Sequence, residues 1–177
     1  MVGDDAGSDR NIIVRAEEPG DAAAIRSVTQ AAFATASHGA GTEADIIDAL
    51  RHSGDLLLSL VAVDQEVIVG QITFSPVSID NASGDWVGLG PVSVMARLQR
   101  TGIGSALINA GLNKIKQRGA SGCVLVGNPD YYARFGFIGD CGLRYAGLDS
   151  RYVQQLSFGR DQASGELKYC PAFESAG

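Results

Sequence analysis

The chain has 177 residues, 45% of them hydrophobic and 19% charged, which fits one globular domain with a substantial core. A net charge of −6 speaks against nucleic acid as a partner. Two histidines, His38 and His52, leave little material for an imidazole metal site or a Ser-His-Asp triad, and three scattered cysteines, Cys123, Cys141 and Cys170, make no disulfide or zinc pattern. Residues 1–10 are polar and Gly/Asp-rich and read as a disordered tail. They lack the charged-then-apolar order of a signal peptide, so a cytoplasmic location is the default. The longest apolar run, residues 56–63, contains Ser59 and falls far short of the ~20 residues that cross a bilayer. No membrane partner is expected.

Residues 11–16 alternate well enough for a first strand. Asp21 is placed to cap a helix running to about Ala34, with Ile25, Val28 and Ala32 or Phe33 on one face. His38, Gly39, Ala40 and Gly41 read as a loop. Thr42 then opens a short helix with Asp45 in the capping-box position. Ile46, Ile47 and Leu50 are its buried stripe, and Gly54 follows its end. Residues 56–63 and 67–74 make a hairpin around Asp64 and Gln65. Pro76 ends that pairing, and residues 80–85 form a turn or loop. The next strand, residues 86–94, holds Gly88, Gly90 and Pro91, which predict a bulge or an end of pairing.

Residues 103–118 carry the strongest helical pattern. Ile103, Leu107, Ile108, Leu112 and Ile115 share one face, opposite Asn109, Asn113, Lys116 and Gln117, and Gly119 stops the helix. Residues 122–126 form a short apolar strand of the kind buried inside a sheet. Residues 130–135 make one or two helical turns, and residues 153–158 and 166–171 are two last strands. Together these elements predict a single α+β domain over residues 11–173, with a mostly antiparallel sheet flanked by helices.

The chemistry concentrates where a strand, a glycine turn and the strong helix meet. A helix start presents unpaired N–H groups and a partial positive charge. Glycines just ahead of it let a ligand approach the backbone, which suits a phosphate or pyrophosphate. Arg97 and Arg100 add local positive charge, whereas Lys114, Lys116 and Arg118 read as a solvated helix face. A phosphate-binding loop would end in Gly-Lys-Ser/Thr, and Gly104-Ser105 lacks the lysine. A dinucleotide fold would need a third glycine where Leu107 stands, and the preceding hairpin opposes its parallel units. What remains is Gln-x-x-Gly-x-Gly: Gln99, Arg100, Thr101, Gly102, Ile103, Gly104.

That turn, following Val92-Ser93-Val94, resembles the acetyl-CoA motif of the GNAT superfamily of N-acetyltransferases. A second element makes the resemblance specific. The run Asn128-Pro129-Asp130-Tyr131-Tyr132-Ala133-Arg134-Phe135-Gly136-Phe137 sets Tyr132 four residues before Gly136, as that family does. The segment from Thr42-Glu43 to Leu50-Arg51, the paired tyrosines and the closing Tyr169-Cys170-Pro171-Ala172-Phe173 resemble its YhbS-like bacterial branch. The resemblance covers residues 11–173 and implies a GNAT fold, with a sheet splayed at two central parallel strands, here residues 86–94 and 122–126.

The same resemblance implies acetyl-CoA as acyl donor, an unidentified primary amine of a small molecule or peptide as acceptor, and no metal. It places pantetheine and the thioester along Val92, Ser93 and Val94, with the Val94 amide polarising the thioester carbonyl. It places the pyrophosphate on the backbone of Arg100, Thr101, Gly102, Ile103, Gly104 and Ser105, with Gln99 and Asn128 also at the cofactor. The family often has a basic residue where Thr101 stands, but backbone donors do not depend on it. Tyr132 is the candidate acid for the leaving thiolate, being protonated at neutral pH; packing under the cofactor is its other role. Tyr131 is read as packing or as a substrate wall. Glu43, in the first turn of a helix, either stabilises that helix end or binds and deprotonates the amine through water. Dimerisation is common in the family, and no stripe here predicts an interface. Two competing readings are a non-catalytic CoA-binding regulatory module and an enzyme that transfers a different acyl group.

Overall fold

The computed structural model describes residues 10–36 and 41–174. The expected tail, apart from Arg10, and the loop residues His38, Gly39 and Ala40 lie outside them. Strand β1 (Ile13–Ala16) leads into helices α1 (Ala22–Ala34) and α2 (Glu43–Ser53). Strands β2 (Leu58–Asp64), β3 (Val67–Ile79) and β4 (Ala82–Val94) follow as two hairpins. Helix α3 (Ile103–Gln117), strand β5 (Gly122–Val126) and the single turn α4 (Pro129–Tyr132) come next. Short strands β6 (Leu143–Arg144), β7 (Val153–Ser157) and β8 (Gly165–Tyr169) close the order.

The sheet runs β1-β2-β3-β4-β5-β7, with β8 pairing the end of β3 and β6 pairing β8. Its pairs are antiparallel except β4 with β5 and β6 with β8. The expected mixed, mostly antiparallel α+β arrangement is therefore what the chain forms. Alternation along β2 puts neighbouring residues on opposite faces. Leu60 and Ala62 join Ile103, Leu107, Ile108, Leu112 and Ile115 of α3 in one cluster, while Val61 joins Ile25, Val28 and Ile47 of α1 and α2 in another. Helix α3 thus covers one face and α1 with α2 the other. Each such side chain buried in full contributes roughly 1.5–3 kcal/mol.

Three local expectations need correction. The pairing does not end at Pro76: β3 runs to Ile79, and Pro76 still faces Val87, with an irregularity before Ser78. Pro76 falls between Phe74, the last β2 partner, and Val77, the first β8 partner, so one edge of β3 has no neighbour there and a missing N–H is tolerated. The expected loop over residues 80–85 shrinks to Asp80 and Asn81, both at positive φ, and Ala82 already lies in β4. Asp21 and Thr42 do stand at the N-cap positions of α1 and α2, but neither side chain caps its helix. The Asp21 carboxylate instead takes the Arg15 guanidinium at 2.6 Å and the Glu18 N–H at 2.8 Å. Thr42 makes no side-chain cap, and Asp45 pairs with Arg26 at 2.7 Å. In both cases an ion partner from another segment replaces the local bond.

Candidate active site

Strands β4 and β5 pair over three positions only: Trp86 with Gly122, Val87 with Cys123 and Gly88 with Val124. Beyond Gly88 they part. A bulge helps to turn β4 away, since Ile72 faces Val92 while Phe74 faces Leu89, leaving Gly90 and Pro91 opposite Thr73. A buried polar set holds the bulge. The Gln71 side chain donates to the Pro91 carbonyl at 3.3 Å and to the Ser93 hydroxyl at 3.1 Å. Thr73 donates to the same carbonyl at 3.2 Å, and Thr29 of α1 lies 3.3 Å from the Ser93 hydroxyl.

The register fixes which way the open edge of β4 points. The Met95 N–H donates to the Val69 carbonyl at 2.8 Å, which makes Gly70 and Val94 a non-hydrogen-bonded pair. The N–H and C=O of Val94, and of Val92 two residues earlier, therefore face away from β3, toward the gap beside β5. The Val94 carbonyl accepts from the Gln99 side-chain amide at 3.1 Å.

The turn then delivers the start of α3 to the same gap. Gly102 occupies the N-cap at φ 93, a conformation that a Cβ disfavours, and no side chain caps the helix. The first intrahelical bond runs from the Ala106 N–H to the Gly102 carbonyl, so the amides ahead of it have no acceptor in the helix. Thr101 bonds the Leu98 carbonyl at 2.6 Å, which fixes the turn from within.

These parts line one cleft of ≈ 710 Å³. Val92, Ser93, Val94, Gln99, Arg100, Gly102, Gly104 and Ser105 line it. Thr101 and Ile103 do not line it through side chains: Thr101 is turned to Leu98, and Ile103 is buried in the core. Asn128 acts as the N-cap of α4, accepting the Asp130 N–H at 2.9 Å.

The cleft also has walls that the sequence did not assign to it: Ala32 and Phe33 of α1, Ala36 just beyond that helix, and Arg134. Tyr131, read from the sequence as packing or a substrate wall, lines it beside Arg134. Arg134 lies 4.6 Å over the Tyr131 ring and donates to the Tyr131 carbonyl at 2.9 Å. A Cβ on Gly104 would stand 3.1 Å from the Tyr131 hydroxyl, so glycine leaves room for that ring at the helix start. Arg134 stood inside the tyrosine motif, two residues after Tyr132. Its cation was the available signal.

Tyr132 and Glu43 lie in a second hollow of ≈ 340 Å³, which shares Val92 and Phe33 with the first. Tyr132 is packed by Tyr131 at 4.9 Å and Phe137 at 6.0 Å between ring centres. Burial, then the neighbouring Tyr131 and Cys123, push the Tyr132 hydroxyl pKa well above the usual tyrosine range. Among the described residues, no three His, Cys, Asp or Glu side chains gather where they could hold a metal ion.

A sheet parted beside an uncapped, glycine-led helix start is the architecture of an acyl-CoA-dependent transferase. The chain belongs to the acetyltransferase (GNAT) family, which matches residues 23–137, and it is an N-acetyltransferase of that family. It is 33% identical over 127 residues to the uncharacterized N-acetyltransferase YhbS of Escherichia coli K12, covering 71% of this chain and 73% of that protein. Among solved structures, a GNAT family acetyltransferase from Brucella melitensis in complex with acetyl-CoA is 44% identical, with a TM-score of 0.82 over 92% of this chain and 97% of that one. The structure of E. coli YhbS in complex with CoA is 28% identical, with a TM-score of 0.84 over 92% of each chain.

Proposed function

We propose that this chain moves the acetyl group of acetyl-CoA to a primary amine by direct attack. The observation that carries the reading is the joining of two features in one cleft: the outward N–H and C=O groups of Val92 and Val94, and the uncapped first turn of α3. Pantetheine amides would complete the open edge of β4 as an added strand. The pyrophosphate would take the amides from Arg100 to Ser105, with Arg100 and Arg134 supplying positive charge on two sides. The two similar structures solved with acetyl-CoA or CoA support acetyl-CoA as the donor.

The amine nitrogen attacks the thioester carbon, the C–S bond breaks, and the amine proton leaves as the thiolate gains one. The Val94 N–H is aimed to steady the oxygen that gains charge. Tyr132 is the proposed acid, since its raised pKa keeps it protonated and able to donate to the thiolate. Glu43 lines the same hollow as Tyr132 and is proposed to bind the ammonium or draw its proton through water. A cytoplasmic location is part of the proposal, supported by the free thiols of Cys123, Cys141 and Cys170. No helix of the described residues is long and apolar enough to cross a membrane.

The test is incubation with acetyl-CoA and a panel of primary amines, following thiol release. Acceptor-dependent release supports the proposal. CoA binding without release on any amine would make the chain a binding module instead, and propionyl- or succinyl-CoA in place of acetyl-CoA reports the acyl preference.

A further inference from the structure

The smaller hollow is walled by rings. Phe33, Tyr132, Tyr145, Tyr169 and Phe173 line it, with Glu43 beside them. They arrive from separate parts of the chain: α1, the turn α4, the segment after β6, strand β8 and the helical turn beyond it. The tail rings brace one another. Tyr145 meets Tyr169 edge-on at 5.2 Å, and Tyr169 lies 4.6 Å from Phe173. Gly88 of β4 makes room for this group, because a Cβ there would stand 2.7 Å from the Tyr169 ring.

The charge of the wall is equally one-sided. Glu43 is its carboxylate, and no Lys, Arg or His is among the described residues that line it. Burial raises the pKa of Tyr132, Tyr145 and Tyr169, so these phenols stay neutral at working pH.

We infer that this hollow takes a compact primary amine borne on an aromatic or bulky apolar body and lacking a carboxylate. The inference rests on the acetyltransferase reading above and adds the class of acceptor. An ammonium group is drawn both to ring faces and to Glu43. An apolar body gains by burial among the five rings. A carboxylate on the same molecule would enter a ring-lined space beside Glu43 with no cation among the described lining residues to meet it. A polyamine would bring a second ammonium to a wall whose described lining holds a single carboxylate. A volume of ≈ 340 Å³ is near the lower end for small-molecule sites, which fits one ring on a short arm. Val92 and Phe33, common to both hollows, put this hollow beside the cofactor cleft, so a bound amine lies next to the proposed thioester site.

The test is calorimetric titration of 2-phenylethylamine, phenylalanine and spermidine into the full chain, with and without saturating CoA. The expected result is 2-phenylethylamine bound at least about tenfold more tightly than either competitor, the discrimination an unpaired buried charge imposes. Phe173→Ala and, as a second variant, Tyr145→Leu should each weaken 2-phenylethylamine about tenfold while leaving CoA affinity unchanged, which also reports that the variant is folded. Equal or tighter binding of phenylalanine or spermidine overturns the inference. So does unchanged amine affinity in both variants. Failure of the acetyltransferase reading looks different: the amine binds, but acetyl-CoA releases no thiol, or CoA itself does not bind.

Discussion

The Gln99 side-chain amide donates to the Val94 carbonyl across 3.1 Å, and this bond ties the turn before α3 to the open edge of β4. The two halves of the proposed cofactor groove, one for pantetheine and one for pyrophosphate, are thereby held in a fixed relation. Gln99→Leu removes the tie and leaves both strand and helix intact. One lost hydrogen bond of this kind should weaken CoA roughly threefold to tenfold by calorimetry. Unchanged affinity would show that the turn is positioned by other contacts, such as Thr101 on the Leu98 carbonyl.

Gly102 meets two demands at once. Its φ of 93 is strained for any residue with a Cβ, and it caps a helix whose first amides are proposed to take the pyrophosphate. Gly102→Glu adds strain and a negative charge at that point. CoA affinity should fall by about a hundredfold or more, the scale on which one misplaced charge defeats a charge-assisted site. Gly102→Ala, carrying strain without charge, should fall between the parent and Gly102→Glu. If Gly102→Glu binds CoA as the parent does, the pyrophosphate lies elsewhere.

Tyr132 is walled in by rings, and burial holds its proton. Tyr132→Phe keeps the ring packing and removes the hydroxyl. Turnover should drop about a hundredfold or more, the usual range for a positioned acid, with CoA affinity at the parent value. The pH dependence follows from the direction of the shift. A tyrosine pKa raised above ~10 leaves the phenol protonated throughout the assay range. The rate should therefore rise as the amine acceptor loses its proton and should not decline again below about pH 10. A descending limb below that pH, abolished in Tyr132→Phe, would mean that the phenol titrates early.

The Arg15–Asp21 pair predicts an acid limit to stability. The Arg15 guanidinium, through its hydrogen bonds to the carboxylate, lowers the Asp21 pKa, aided by the Glu18 N–H, while desolvation opposes. A folded pKa below the unfolded value means that the contribution is complete above the unfolded pKa of about 3.9 and is lost as pH falls through the lower folded value. Thermal melts of the parent and Asp21→Asn should therefore differ at neutral pH and converge as pH drops below about 4. A constant gap down to acid pH would show that the side chain acts through shape alone.

Helix α3 and strand β5 were legible because each carries its signal within a short window: apolar residues at 3.6 spacing before Gly119, and an uninterrupted apolar run at 122–126. The glycine turn and Tyr132 were legible as a spacing. The lengths of β3 and β4 were not, because pairing with β4 passes Pro76 only where the other edge of β3 is left open between β2 and β8, and β8 comes from about ninety positions along the chain. The missing caps have the same origin: Arg15 and Arg26 draw Asp21 and Asp45 away from local bonds. The ring-walled hollow was hidden most deeply. Phe33, Tyr145, Tyr169 and Phe173 have no common spacing, and only the closed sheet brings them together.

Helix α3 lies so close to the sheet that Gly111 touches the Phe74 ring. A Cβ at position 111 would stand 2.4 Å from one ring carbon and 2.5 Å from the next, and Phe74 is fully buried. Gly111→Ala should gain up to ~1 kcal/mol in helix propensity. Overpacking against a ring that has nowhere to move costs about 1–3 kcal/mol, so the net change is a loss of stability. The melting temperature should fall by a few degrees, about 2–4 °C per kcal/mol at this chain length. Phe74→Leu alone should also destabilise, by leaving part of the ring's volume empty. Combined, the smaller leucine makes room for the new methyl, and the double variant should be more stable than the two separate losses added together predict. Strict additivity would mean that the backbone of α3 shifts to absorb the methyl, and that its seat on the sheet is less fixed than the contact with Phe74 requires.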